Sequence, residues 1–305
     1  MRKALRSSRC RCEHGRRGGR SRAWAAPDRL VDLVRHKTLA FTPGSTVIGF
    51  SAFDTRGYRT VDVRSGYGEW VATYERTVEN AMDIELLETL RKVPWRRLRR
   101  AADLGCGTGR TGAWLRLAGV SSVDGVDLTP EMLAVARSKG VYQRLVEADV
   151  SSTGLEAGAY ELVVACLIDE HLRGLQPLYR EAWRLARPGG SLVLVGYHPH
   201  FIMAAGMPTH FNSRSGEPLA IETYVHPLSE HVTAALSAGW VLVEMQERFI
   251  DDAWLALKPT WGRFRNYPIS MAFAWQKPEA GAVAKRGHAS RRRNDKTTNK
   301  TNSSL

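Results

Sequence analysis

Three glycines at alternate positions, Gly105, Gly107 and Gly109, follow an apolar run that predicts a β-strand ending at Leu104. Glycine accepts positive φ and lets a backbone approach a ligand closely, while the helix that follows offers free N–H donors. The segment therefore predicts a nucleotide-type binding site at the carboxyl end of a strand. Asp103, just before these glycines, would repel a pyrophosphate but suits a ligand that carries an ammonium group.

The spacing of these glycines is G-x-G-x-G, because Arg110 stands where the dinucleotide-binding motif has its third glycine. The spacing therefore disfavours a dinucleotide. S-adenosylmethionine, which carries an ammonium group and a sulfonium, suits the site better. The alternative is an ordinary tight turn between a strand and a helix, and the segments that follow along the chain argue against it.

The segment D-L-G-C-G-T-G resembles the first motif of class I S-adenosylmethionine-dependent methyltransferases, which bind the methionine end of the cofactor there. Four later segments are similar to the family's next strands and loops: G-V-D-L-T-P-E-M-L at 125–133, V-E-A-D-V at 146–150, Y-E-L-V-V-A-C-L-I-D-E-H-L at 160–172 and L-A-R-P-G-G-S-L-V-L-V at 185–195. The resemblance covers about residues 67–276. It implies a doubly wound α/β fold with a mostly parallel, seven-stranded sheet, and S-adenosylmethionine as cofactor.

The same resemblance implies roles for individual residues. Asp127 would accept hydrogen bonds from the ribose hydroxyls, and Asp149 would accept one from the adenine amino group. Four apolar residues would line the cofactor, or alternatively belong to the core: Leu128, Met132, Val150 and Cys166.

A segment before the first strand, G-Y-G-E-W-V-A-T-Y-E at 66–75, resembles the Y-D-x-x-A-x-x-Y-D segment of small-molecule methyltransferases, including the quinone-biosynthesis group. In that group the first tyrosine closes over the cofactor, which implies this role for Tyr67. Tyr74 also matches in type, whereas Gly68 and Glu75 depart from the paired aspartates. The alternative is an aromatic pair that packs as a hydrophobic lid.

Methyl transfer is an in-line displacement, so the enzyme mainly positions the acceptor and in some cases removes a proton. Polar residues end the fourth and fifth strands, at the edge where open α/β sheets bind ligands. We predict His171 and His198 as candidate bases, with Asp169 as the group that orients the base. The insertion 197–226 predicts a lid over an apolar acceptor pocket, and a second insertion, 248–268, would complete its wall.

The elements that position these residues follow from the alternation of short β runs with helical stretches, which is typical of βαβ units. Before the first strand a helix is predicted within 79–92. The remaining predicted strands are 123–127, 146–150, 160–166, 191–196, 240–247 and 269–275, and the helices are 111–117, 130–138, 176–185 and 227–238. Thr129 is predicted to cap the second of these helices, and 197–226 is predicted to be irregular.

The net charge of +13 suggests a nucleic-acid partner, but the charge lies at the ends of the chain. Residues 1–45 carry +9 and residues 277–305 carry +6, so the rest is nearly neutral. We predict basic, disordered ends at 1–45 and 279–305, a methyltransferase domain at 46–278, and no nucleic-acid partner for that core. The N-terminal basic segment, residues 1–45, which we call the head, has three alternative interpretations: an upstream extension, a mitochondrial transit peptide or a nucleic-acid tail.

The cysteines form no disulfide or zinc pattern, and a single loop carboxylate is insufficient for a metal, so we predict no metal site. The sequence contains no apolar run long enough to span a membrane. These features favour a cytoplasmic protein, or a mitochondrial one if the head is a transit peptide. We predict methyl transfer to an oxygen or carbon of a small molecule. The alternatives are an RNA or protein methyltransferase that uses its basic ends, and a cofactor-binding protein without catalysis.

Overall fold

The computed structural model describes residues 47–78 and 82–279. The strands in this part of the chain are β1 (Ile48–Gly49), β2 (Arg59–Val61), β3 (Arg100–Leu104), β4 (Ser122–Asp127), β5 (Arg144–Glu147), β6 (Tyr160–Cys166), β7 (Ala186–Tyr197), β8 (His210–Asn212), β9 (Pro218–Ile221), β10 (Tyr224–Val225), β11 (Val241–Phe249) and β12 (Pro268–Gln276). The helices are α1 (Val63–Thr77), α2 (Met82–Thr89), α3 (Arg110–Leu117), α4 (Pro130–Ser138), α5 (Gln176–Leu185), α6 (Pro199–Ala205), α7 (Leu228–Ala238) and α8 (Asp252–Leu257).

Seven of these strands form one sheet in the order β11-β12-β7-β6-β3-β4-β5. The five strands from β7 to β5 pair in parallel, whereas β12 pairs antiparallel with both β7 and β11. The strand order reverses direction between β3 and β6, which is where ligands bind in a doubly wound sheet. The predicted fold class is confirmed.

Both faces of the central strands of the sheet are buried, as β7 illustrates. Its Leu192 and Leu194 pack into a core with residues of α5 and α7, whereas its Val193 and Val195 pack into a second core with residues of α2 and α3. Since successive side chains of a strand point to opposite faces, a strand covered on both sides is apolar at nearly every position. The continuous apolar segments of the sequence therefore predicted the central strands.

Several predicted elements have shifted bounds in the structure, and the largest shift is in β7, which begins at Ala186 rather than at 191. The third parallel strand, β5, ends at Glu147 rather than at 150, and just beyond it the Asp149 carboxylate accepts a hydrogen bond from the Ser151 N–H. The helix predicted within 79–92 is α2. Thr129 does precede α4, but its side chain makes no capping hydrogen bond.

The insertion 197–226 is not irregular, contrary to the prediction. It contains α6 and the short strands β8, β9 and β10, and two of these pair with strands near the start of the described chain. β9 pairs in parallel with β2 and antiparallel with β8, while β10 pairs antiparallel with β1. These strands are two to four residues long, which is too short for a recognisable sequence pattern. They exist because they pair with other strands.

The predicted disordered ends lie almost entirely outside the described residues. Within the described part of the chain, no helix is long and apolar enough to cross a membrane.

Candidate functional site

The glycine turn between β3 and α3 has the geometry of a ligand cradle. Gly105, Gly107 and Gly109 have φ values of 69°, 51° and 90°, a region that glycine occupies without strain. A Cβ atom on Gly105 would lie 2.4 Å from Cγ2 of Ile168, whereas one on Gly107 would meet nothing within 4 Å. Gly107 therefore presents bare backbone to open space, and a ligand can approach it closely.

Asp127, at the end of β4, is tied to this turn. One carboxylate oxygen accepts a hydrogen bond from the Gly107 N–H at 2.7 Å, and the other accepts one from the Thr129 N–H at 2.9 Å. Burial raises the pKa of Asp127, and these hydrogen bonds oppose that rise. The carboxylate thus ties the glycine turn to Thr129, the residue that precedes α4.

A first cavity runs along this turn, and we call it the cofactor cavity. Of the residues predicted to bind the cofactor, those that line it are Tyr67, Gly105, Gly107, Asp127, Leu128, Met132, Asp149, Val150 and Cys166. His171 lines it as well. The assignment of these residues to the ribose, the adenine and the methionine end of the cofactor remains a prediction.

Asp103 and Gly109 are absent from the lining of this cavity. Asp103 is 1% exposed, and one of its oxygens accepts a hydrogen bond from the Tyr142 hydroxyl at 2.7 Å. Its other oxygen has no hydrogen-bond partner in the described structure. Burial raises the pKa of Asp103 to about 7. The ammonium-binding function proposed for Asp103 remains a prediction.

The raised pKa of Asp103 gives a testable pH dependence. In the native state the Asp103 carboxyl group keeps its proton up to about pH 7. In the unfolded chain the same group loses its proton near pH 4. The native state therefore loses stability as the pH rises from 4 to 7. Asp103→Asn, which still accepts from Tyr142, should remove roughly 2–4 kcal/mol of this pH dependence. Denaturant unfolding at pH 5, 6, 7 and 8 measures it, and parallel curves for the two proteins would contradict the expectation.

Sequence reasoning missed an ion pair in the cofactor cavity. Arg110, the first residue of α3, contacts the buried carboxylate of Asp83 on α2 at 2.8 Å, and both side chains line the cavity. An amino-acid group carries one charge of each sign, so a matched pair of charges suits it. Arg110 was recognised only as a departure from the dinucleotide motif, and nothing local marked Asp83.

Tyr67 and His171 form a second feature of the cofactor cavity. The Nδ1 atom of His171 lies 2.7 Å from the backbone oxygen of Glu222, so it carries the hydrogen and donates it. Its Nε2 atom consequently accepts from the Tyr67 hydroxyl at 2.8 Å. Burial lowers the pKa of His171, which favours this neutral form. The ring is held at both nitrogens, next to the cofactor cavity.

The other two predicted catalytic residues line neither this cavity nor the second one described below. His198 caps α6, where its Nδ1 atom accepts from the His200 N–H at 3.1 Å, and its Nε2 atom donates to Glu247 at 3.0 Å. A carboxylate oxygen of Asp169 lies 3.4 Å from Nε2 of the buried His231. The structure thus brings His171 to the site, but not His198 or Asp169.

A second cavity, which we call the acceptor cavity, has a volume of about 680 Å³, compared with about 180 Å³ for the cofactor cavity. Leu167, directly after β6, lines both. The aromatic walls of the acceptor cavity come from α1, the two predicted insertions and β7: Trp70, Tyr197, Phe201, Phe211, Trp254 and Trp261. Met207 also lines it, whereas Met203 is exposed.

Within the described residues, no group of three or more His, Cys, Asp or Glu side chains is arranged to hold a metal ion.

Comparisons with known proteins agree with this geometry. Residues 102–194 match the methyltransferase domain family. The chain is 35% identical over 101 residues to the malonyl-[acyl-carrier protein] O-methyltransferase of Enterobacter lignolyticus, which covers 33% of this chain and 40% of that protein. It is 32% identical over 106 residues to the demethylmenaquinone methyltransferase of Thermus thermophilus, which covers 33% of this chain and 48% of that protein.

Among solved structures, an S-adenosylmethionine-dependent methyltransferase from Archaeoglobus fulgidus is similar over 68% of this chain and 100% of that one. The TM-score is 0.50 and the identity 16%, so this likeness concerns the fold. The chain spans less than half the length of the two curated relatives. The matching domain family identifies a methyltransferase domain, and the solved structure confirms its fold.

Proposed function

Because the chain carries a class I S-adenosylmethionine-dependent methyltransferase domain, we propose that it methylates a small molecule held in the acceptor cavity. The observation that supports this most strongly is that Leu167 lines both cavities. A cofactor on the glycine turn and an acceptor against the aromatic wall would then meet at this residue. In-line transfer requires such an arrangement, with the acceptor on the far side of the methyl group.

The size and lining of the acceptor cavity support a small and largely apolar acceptor. About 680 Å³ lies within the range of pockets for drug-sized molecules. The indole and phenyl groups of its wall favour a flat or apolar body. Oxygen or carbon is the proposed acceptor atom, and one similar protein is named as an O-methyltransferase.

The test is release of S-adenosylhomocysteine across a panel of phenols, quinols, fatty acids and amines. We expect turnover with at least one phenol or quinol. If Trp254→Ala, which opens the wall, and the wild type consume the cofactor equally with every compound, the acceptor does not occupy this cavity. Lys92→Ala, on the surface beyond α2, serves as the control.

We predict that residues 46–278 bind S-adenosylmethionine without the basic ends of the chain. The cofactor cavity is lined by residues between Val63 and Leu172, and the body of the chain is nearly neutral. Titration calorimetry should therefore give an affinity within about threefold of the full chain, less than 1 kcal/mol. Loss of binding on trimming would instead favour an RNA or protein methyltransferase that depends on those ends.

A further inference from the structure

Glu170 is a buried carboxylate in a cavity that is otherwise mainly aromatic and apolar. It lines the acceptor cavity and is 3% exposed. Its Oε2 atom has no hydrogen-bond partner in the described structure, and its Oε1 atom lies 3.8 Å from Nε2 of His171, beyond hydrogen-bond distance. An unsatisfied carboxylate in such surroundings is costly to the fold, so an oxygen without a partner points to one that the ligand supplies.

The position of Glu170 in the chain places it near the reacting groups. It follows Leu167, which lines both cavities, by three residues and directly precedes His171, which lines the cofactor cavity. Glu170 therefore belongs to the short segment that separates the cofactor from the acceptor.

We propose that the methyl acceptor presents a hydroxyl group to Oε2 of Glu170, and that Glu170 takes the hydroxyl proton during transfer. The inference rests on the proposed function and specifies its substrate class, an aromatic or apolar alcohol. The acceptor oxygen forms a bond to the methyl carbon, the carbon–sulfur bond breaks with its electron pair on sulfur, and the proton moves to Glu170. The products are the methyl ether, S-adenosylhomocysteine and a protonated Glu170, which returns its proton to solvent when the products leave.

The charges around Glu170 favour a hydroxyl over the other acceptor groups. A carboxylate acceptor in this cavity would lie beside Glu170, and the two like charges would repel each other. An ammonium group would be attracted, but it must lose its proton before it has an electron pair to attack with. A hydroxyl is neutral, and it supplies the hydrogen-bond donor that Oε2 lacks.

The pKa of Glu170 agrees with this function. Burial and the nearby charge of Asp169 raise it well above the usual value for a glutamate. Glu170 is therefore a stronger base than an exposed glutamate once it is ionised, and it holds its proton below that pKa. The groups that face it or influence its charge, on the elements packed around it, are Tyr67, Tyr74, Asp169, His171, Tyr197 and Thr209.

Binding of two naphthalene probes to the full-length protein with S-adenosylhomocysteine tests the hydrogen bond without turnover. At a pH above the pKa of Glu170, we expect 2-naphthol to bind at least about 10-fold more tightly than 2-methoxynaphthalene, because it gives a hydrogen bond to a charged acceptor. Glu170→Leu should abolish this preference. The proposal is overturned if the preference survives in that variant or if the wild type shows none.

Turnover of 2-naphthol tests the proton transfer, with Glu170→Gln as the variant that keeps the volume and one acceptor oxygen. We expect cofactor affinity within about threefold of wild type, kcat lower by about 10²–10⁴, and loss of the acidic limb of the pH profile. Glu217→Gln, an exposed glutamate paired with Arg59, is the control and should match wild type. If His171→Asn removes that limb and Glu170→Gln does not, the base is His171 and the inference is wrong.

Different results would contradict the proposed function and the role of Glu170. If the protein neither binds nor consumes S-adenosylmethionine, the proposed function is wrong, although a hydroxyl preference that depends on Glu170 would still identify the ligand of the acceptor cavity. If the cofactor is consumed and Glu170→Gln turns over 2-naphthol like wild type, the function stands and the role of Glu170 does not.

Discussion

Gly107→Ala is expected to weaken S-adenosylmethionine binding by about 10- to 100-fold while leaving the fold largely intact. The added Cβ would meet no protein atom within 4 Å, but it would project from the turn that lines the cofactor cavity. It therefore competes with the ligand, at a cost of about 1–3 kcal/mol in binding. The positive φ of 51° adds about 1–2 kcal/mol to the folding cost.

Gly105→Ala is the matched control. It adds a methyl group to the same turn, but this group would meet a protein side chain rather than open space. Its Cβ would lie 2.4 Å from the side chain of Ile168, at a φ of 69°. Overpacking and backbone strain together should cost roughly 2–5 kcal/mol of folding stability. Thermal unfolding and titration calorimetry on both variants separate the two effects. Equal losses of melting temperature in the two variants would show that Gly107 does not face open space.

Asp127→Ala should weaken cofactor binding by about 1–3 kcal/mol, roughly 5- to 150-fold. The variant loses the proposed acceptor of the ribose hydroxyls, and it also leaves the N–H groups of Gly107 and Thr129 without the partner seen in the structure. Asp127→Asn keeps one acceptor oxygen and should lose less.

The measurement for the Asp127 variants is titration with S-adenosylmethionine, with NADH titrated in parallel as a specificity control. Arg110 in place of a third glycine predicts that NADH does not bind. Binding of NADH without S-adenosylmethionine would refute the assignment of this cavity to the methyl donor. Unchanged affinity in Asp127→Ala would remove the ribose contact from the proposed site.

The sequence predicted the sheet and most of the cofactor cavity because both depend on local patterns. Glycine spacing marks the turn, and the apolar segments mark strands buried on both faces. Asp127 could be found because it ends a strand at a fixed distance along the chain from the glycines. In each case one continuous segment contains both the motif and the strand or turn that positions it.

The rest depends on residues that folding brings together from distant parts of the chain. Asp83 and Arg110 form an ion pair that no local pattern indicates. The polar cluster at 169–171 was recognised, but histidine chemistry drew the prediction to His171. The burial that makes Glu170 notable is visible only in three dimensions. Similarly, His198 was predicted from residue type, but in the structure it contacts Glu247 and lines neither cavity.

The small sheet of β2, β9 and β8 has a consequence for the order of folding. The pairing of β2 with β9 joins residues that are 160 positions apart along the chain, as in Arg59 and Leu219, and such long closures form late because chain entropy opposes them. Elements with few and distant contacts also open first in the native state. Phe211 on β8, which stacks on Trp70, should therefore exchange its amide hydrogen faster than the strands of the central sheet. Opening of this small sheet would give the acceptor a route in and the methylated product a route out, while the cofactor remains seated on a sheet that stays closed.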